Sequence, residues 1–162
     1  MTSPLGRWRR RHEKRSAPPP LPRPQPWDTT RETWWFRQPT APGGHYRIKV
    51  VDDTDYAFAT LDWRVCHSCQ YGLIGRIRVT DRWQRQGYGR LMLHHAMRDL
   101  THYTWMTTRQ SPDGQQFFPA MRVATGAALE PAGALCPHMR TRARHGTGSA
   151  PWQQESRPNA VA

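Results

Sequence analysis

Ile77-Arg78-Val79-Thr80-Asp81-Arg82-Trp83-Gln84-Arg85-Gln86-Gly87-Tyr88-Gly89-Arg90-Leu91 is the stretch on which the fold of this chain turns. It starts as a strand, with Ile77 and Val79 on alternate positions, and passes through a glycine-containing turn. From Gly87 to Leu100 the period changes: Gly89, Leu93, Ala96, Met97 and Leu100 share one helical face, with Arg90, His94, Arg98 and Asp99 mostly elsewhere. A strand therefore opens through glycines directly into a helix. The first N–H groups of a helix have no internal partner, and the helix dipole favours an anion beside them. Gly87 and Gly89 lack a Cβ, so a phosphate can come close to the backbone, and Arg82, Arg85 and Arg90 bring positive charge to the same mouth. The loop reads as a phosphate cradle, although a bare G-x-G at a helix start is often only a turn, so the flanking elements must decide. A Walker loop is excluded because Arg90-Leu91 stands where Lys-Ser/Thr is required, and a Rossmann loop because Met92 occupies the third glycine position.

Upstream, His45 to Val51 alternates through Tyr46, Ile48 and Val50, and Asp52-Asp53-Thr54-Asp55 is a turn signal. Tyr56 to Val65 alternates again, with Phe58, Thr60 and Asp62 on one side and Ala57, Ala59, Leu61 and Trp63 on the other. A tight link, Cys66-His67-Ser68-Cys69, leads to a third strand from Tyr71 to Val79. Three strands with short links predict an antiparallel β-meander. Downstream, Tyr103 to Thr108 is β-branched and aromatic and predicts a strand parallel to the third, joined through a right-handed crossover. Ser111-Pro112 then marks a helix start that carries Phe117, Met121 and Ala124 inward and stops at Gly126. Pro119 implies a kink or a later start. The expected class is α+β, an antiparallel meander followed by a β-α-β-α unit.

The ends differ from this centre. Of 162 residues only 36% are hydrophobic, and Pro (15) and Gly (12) are abundant. Arg-rich blocks and Pro18-Pro19-Pro20 make residues 1–44 a disordered, basic, Pro-rich leader, leaving 45–139 as the folded domain and 140–162 as a disordered tail. Trp34-Trp35-Phe36 is an aromatic island in the leader, either a short strand docking on the domain or a linear motif. The net charge of +12 is unevenly placed: residues 1–40 carry +6, 41–139 carry +3 and 140–162 carry +3. Such tails allow non-specific nucleic-acid contact without a binding face on the fold. No apolar run is long enough to span a bilayer and no apolar segment follows Arg9-Arg10-Arg11, so a cytoplasmic protein without membrane contact is expected.

With its flanks in place, the loop resembles the GNAT acyltransferase family, whose signature Gln/Arg-x-x-Gly-x-Gly/Ala is matched by Gln84, Gly87 and Gly89. The resemblance covers about residues 45–135 and implies acetyl-CoA or another acyl-CoA as the cofactor. It implies that Gln84, Arg85, Gln86, Gly87, Tyr88, Gly89 and Arg90 hold the pyrophosphate. The strand Ile77, Arg78 and Val79 would bind the acyl-pantetheine arm through its backbone, and Ser111 would touch the cofactor. The chain departs from the family in three places. Residues 1–44 do not supply the usual helices ahead of the meander, Phe118 stands where relatives carry a helix tyrosine, and the third strand has no Glu at the general-base position. The implied activity is transfer of an acetyl group to an amine, on a small molecule or a protein. An acyl-CoA-binding module without turnover, or a basic nucleic-acid-associated protein, are the alternatives.

An amine with a pKa of about 10.4 must lose its proton before it attacks. Asp62, Asp81, His94, His95 and Tyr103 are the available groups. Tyr103 is the candidate acid if its hydroxyl reaches the cleft, and a packed core aromatic otherwise. Cys66-x-x-Cys69 and Cys136-x-His138 form the remaining pattern, and together they make a Cys3His set of the kind that binds structural zinc. Three reduced thiols, or a disulfide between Cys66 and Cys69, are the other readings of the same residues.

Overall fold

The computed structural model describes residues 32–143, 150–155 and 157–158. Residues 1–31 of the leader expected over 1–44 lie outside the described residues, as do 144–149, 156 and 159–162 of the tail expected over 140–162. The protein is mixed α+β: the described residues form one six-stranded sheet with three α-helices. The strands are β1 (Thr33–Arg37), β2 (His45–Val51), β3 (Ala57–Cys66), β4 (Tyr71–Val79), β5 (Thr104–Thr107) and β6 (Gln153–Glu155). The helices are α1 (Tyr88–Met97), α2 (Pro112–Thr125) and α3 (Pro137–Ala143). The sheet order is β5-β4-β3-β2-β1-β6.

The expected meander forms from β2, β3 and β4, all antiparallel, and β5 joins β4 in parallel as the crossover through α1 requires. The sheet extends further than expected on one side. Trp34 and Phe36 bury their rings against α1, at 1% and 4% exposure, so the aromatic island is a strand and ordered structure begins before residue 45. Likewise Gln153–Glu155 pairs with β1, so the tail expected to be unstructured returns to the sheet. These segments are ordered because an aromatic pair supplies enough apolar area to hold a strand at the edge.

α1 lies on one face of the sheet, where Tyr88, Leu91, Met92, Leu93, Ala96 and Met97 are buried. It ends at Met97 rather than Leu100, because the backbone leaves the helical region at Arg98 (ψ 135°) and Asp99 follows in a left-handed conformation (φ 61°). Facing it are Trp34, Phe36, Ile48, Val50, Leu61 and Trp63. Phe58 belongs to this face too, contrary to simple alternation. A bulge between Val50 and Val51 shifts the register opposite Ala57–Ala59, and Phe58 stacks on Trp83 at 4.1 Å. α2 starts as expected, with the Ser111 hydroxyl accepting from the Gly114 amide (3.2 Å), and stops at Gly126. Pro119 lies within it, and Phe118 and Met121, not Ala124, are its buried apolar residues.

Beyond α2 the chain runs back beside β5, where Thr107 donates its amide to Glu130 (2.8 Å) and Gly133 donates to Thr107 (2.8 Å). It then crosses to the face opposite α1. There Met139 is fully buried and Arg64 donates to the carbonyls of Gly43 (2.8 Å) and Met139 (3.2 Å).

Candidate functional site

β4 and β5 pair only from Tyr71↔Thr104 to Ile74↔Thr107. β4 continues to Val79, and over Arg76–Val79 its partner is β3 alone. The two strands thus part after Ile74, and a register shift between Asp62 and Trp63 leaves Gly75 as the extra residue at that point. The Thr108 side chain caps the parting, its hydroxyl donating to Gly75 (2.7 Å) and its amide to Ile74 (2.9 Å). The gap opens into a cleft of about 820 Å³ lined by β4 from Ile74 to Val79, the loop before α1, the end of β5 and the start of α2.

The loop is tied down at its entrance. The Thr80 amide and hydroxyl both donate to Phe58 O (2.8 and 3.0 Å), and buried Trp83 stacks on Phe58. The Gln84 side-chain amide donates to Val79 O (3.1 Å) and Asp81 Oδ1 (3.0 Å), locking the turn to the end of β4. Gly87 is the residue before α1 and has φ 88°, a left-handed geometry that a side chain strains. The first helical bond runs from Leu91 N to Gly87 O (2.9 Å), so the Gly89 and Arg90 amides precede the helical ladder. A Cβ on Gly89 would stand 3.2 Å from Phe117 and 3.7 Å from Ile77, filling the helix mouth.

Of the residues expected to bind a cofactor, Ile77, Arg78, Val79, Gln84, Arg85, Gly87, Tyr88, Gly89, Arg90 and Ser111 all line this cleft. Gln86 does not; its side chain turns back to Arg82 O (3.0 Å). Ser111 spends its hydroxyl on the start of α2. Five arginines (Arg76, Arg78, Arg85, Arg90 and Arg109) line the cleft against one carboxylate, Asp113. The contributions of Arg109, Gln110, Asp113 and Phe117 were not singled out from the sequence, since they depend on where β5 ends relative to α1.

Tyr103 is not part of this cleft. It precedes β5 at the far end of the sheet, where its hydroxyl is 2.9 Å from His67 Nδ1, so the acid assigned to it has no access to a group held at Ile77–Gly89. Neither His94 nor His95 lines the cleft. Burial and nearby Arg90 lower the His94 pKa, and burial with Arg98 pushes His95 down to about 4. Asp62 pairs with Arg47 on the sheet face. The Tyr88 hydroxyl bonds Glu32, a residue that also accepts from Trp34 Nε1 (3.1 Å) and pairs with Arg157 (3.2 Å).

The second assembly is at the β3–β4 hairpin. Cys66 ends β3, Cys69 sits in the turn, and Cys136 and His138 open α3. Their four ligand atoms lie within 4.8 Å of one another, with Cys69 Sγ 3.2 Å from His138 Nδ1. All three thiols are free, so the disulfide reading is not realised. Hydrogen bonding to Cys66, with burial and Cys136, pushes the Cys69 thiol up to about 11. Burial opposes ionisation of Cys136, but the Met139 amide, the two neighbouring thiols and the His138 amide outweigh it and lower its pKa. Three thiols and an imidazole converging from two chain segments form a donor set able to hold a metal ion such as zinc. A tetrahedral zinc site has ligand–ligand separations of about 3.5–3.8 Å, so little contraction is needed.

No protein-family model matches the chain, and no curated protein matches its sequence. Among the described residues no helix is long and apolar enough to cross a membrane.

Proposed function

We propose that this protein has a shortened GNAT-like core that binds acetyl-CoA or a related acyl-CoA and transfers the acyl group to an amine. The observation that carries the reading is a single cleft joining the free edge of β4 to the glycine mouth of α1. A phosphate diester meets the amides of the α1 start and the surrounding arginines, while the extended Ile77–Val79 backbone, which has a strand partner on the β3 side alone, presents its other edge to an amide-containing arm. Bound there, the thioester supplies an activated acyl group.

The chain's own part is to hold that group and exclude water, with Phe117, Trp83 and Ile77 as the apolar lining. Asp113 is the one carboxylate among the lining residues, and Tyr88 is committed to Glu32. Proton removal from the amine is therefore assigned to water. An acyl-CoA-binding module without turnover is the second reading, favoured by that same shortage of acid–base groups in the cleft.

Thermal unfolding with and without acetyl-CoA tests the binding. A stabilisation of about 2–3 kcal/mol at a hundredfold excess over Kd is expected for the wild type and none for Gly87→Trp, whose ligand-free melting is measured alongside. No shift in the wild type refutes both readings. Thiol release from acetyl-CoA with a panel of amines then separates transferase from binder.

We also assign zinc to Cys66, Cys69, Cys136 and His138, in a structural role. All four positions are filled by protein, leaving no open coordination site for catalysis, and the ligands join the β3–β4 hairpin to α3. Metal analysis of the purified protein is expected to give one zinc per chain, and Cys136→Ser to give none. A wild-type preparation without zinc overturns the assignment.

A further inference from the structure

Among the described residues, the sheet face opposite α1 is closed over at one end only. Met139 and Gly43 close over Arg64, which belongs to the cross-strand row His45–Arg64–Leu73. Among the described residues, the next two rows are half-buried to exposed. One runs Gln154–Trp35–Lys49–Thr60–Arg78, and the other Arg37–Arg47–Asp62–Arg76. Residues directly opposite in adjacent strands share a face, so five cations stand on these two rows against one carboxylate, Asp62, already paired with Arg47. The rows lie about 7 Å apart along the strands, and the first spans about 19 Å across five strands. Aromatic rings are set among the cations: Lys49 Nζ is 5.7 Å from the Trp35 ring and 4.9 Å from Trp152, and the Arg37 guanidinium is 4.9 Å from Trp152.

We infer that this face binds single-stranded nucleic acid; Arg76 and Arg78 at its β4 end also line the cleft, so Arg37, Lys49 and Trp35 are the residues that belong to this face alone. Charge complementarity requires a polyanion. The tryptophans narrow the class, because a flat aromatic among cations offers a base a stacking surface that a bare polyanion cannot use. Among the described residues no helix projects from this face to enter a duplex groove, and stacking requires bases free of a duplex. A lipid surface fits less well: among the described residues the exposed large hydrophobics are Tyr56 and Val123, and neither is on these rows. Residues 1–31 carry eight Lys/Arg and two Asp/Glu, so their charge does not complement the face either.

The test must separate this face from the basic ends, so it uses the full chain. Fluorescence anisotropy with a labelled oligothymidylate of about 16 nucleotides is recorded across a salt series, with inorganic polyphosphate as a second probe. Each phosphate contact on a single strand contributes about 0.7 to the slope of log K against log salt, so Arg37→Gln with Lys49→Gln is expected to lower it by about 1.4. Trp35→Ala is expected to weaken oligothymidylate binding about 5- to 100-fold without changing polyphosphate binding, and Trp35→Phe to restore it. Wild-type affinity and slope in the double variant would place all binding in the ends and overturn the inference. Equal losses for the two probes in Trp35→Ala, or tighter binding to a duplex of the same length, would overturn it as well.

Discussion

Replacing His95 with leucine is expected to remove a defined part of the protein's acid sensitivity. The imidazole is packed under the sheet, its ring centroid 4.2 Å from Phe36 and 6.4 Å from Trp63, and its buried Nδ1 has no hydrogen-bond partner. Protonation there would place a charge in an aromatic setting beside Arg98, and the pKa is accordingly lowered from 6.5 to about 4. The folded state thus resists a proton that the unfolded chain accepts. Above pH 6.5 both states are neutral and the group has no linkage effect. As pH falls below 6.5 the unfolded state takes the proton first, and stability declines until the folded pKa near 4 is passed.

At 1.36 kcal/mol per pKa unit, the shift corresponds to about 2 kcal/mol lost between pH 7.5 and pH 5. The ring is partly open to solvent, and screening reduces the figure to about 1 kcal/mol. Urea unfolding of wild type and His95→Leu at both pH values measures it as a double difference, in which carboxylates common to both proteins cancel. The variant should lose about 1 kcal/mol less than the wild type on acidification, equivalent to about 4 °C in Tm. His94, also lowered by burial and Arg90, titrates in both proteins and does not enter the difference. Parallel losses in the two proteins, within about 0.3 kcal/mol, would refute the burial argument.

Gly72→Val is expected to destabilise the fold by about 1–3 kcal/mol in denaturant titration, since a Cβ there would fall 2.4 Å from the ring of fully buried Trp105, which is held by its own bond to Leu100 O (3.0 Å). Ser111→Ala should cost about 1 kcal/mol through loss of the α2 cap, and should lower acyl-CoA affinity only as far as the start of α2 moves. Chelation of zinc should lower Tm and raise amide exchange at Cys136–Ala143 and the β3–β4 turn, while α1 and its loop keep their protection. Uniform loss of protection would show that the metal supports the whole fold rather than this junction.

Much of the sheet was readable because its signals are local. His45–Val51 and Tyr71–Val79 emerge at their expected bounds, since alternation and flanking turns are written within each strand. The helix after Gly87 and the cap at Ser111 were legible for the same reason: glycine geometry and capping depend on neighbours in sequence. What escaped was non-local. Pairing of β6 with β1 rests on three short, exposed residues that carry no strand pattern of their own. The exit of Phe58 to the α1 face needs a bulge in β3 that leaves it unpaired opposite Val50–Val51, and the distance of Tyr103 from the cleft depends on which end of β5 faces the α1 loop. The Cys3His grouping lay between these cases. Its residue types were visible, but 66 residues separate Cys69 from Cys136, and only the return of the chain along β5 closes that gap.

That return also sets how much of one sheet face the described residues cover. The strand ahead of the meander is β1, which lies between β2 and β6, and among the described residues the chain beyond α2 covers the hairpin end of the opposite face and sets Trp152 beside Arg37 and Lys49. With no described helix laid across Trp35, Lys49, Thr60 and Arg78, these positions face solvent rather than a second core layer, and a sheet face in that position must be polar to remain soluble. Solubility alone asks only for polarity of mixed sign. Five cations around two tryptophans, with one acid, is a narrower choice. Because like charges on neighbouring strands repel, the arrangement costs stability in the free protein, and a bound polyanion relieves that repulsion. Increasing salt should therefore stabilise the free wild type more than the Arg37→Gln, Lys49→Gln variant. An identical salt response of Tm in the two proteins would show that the face carries no such repulsion.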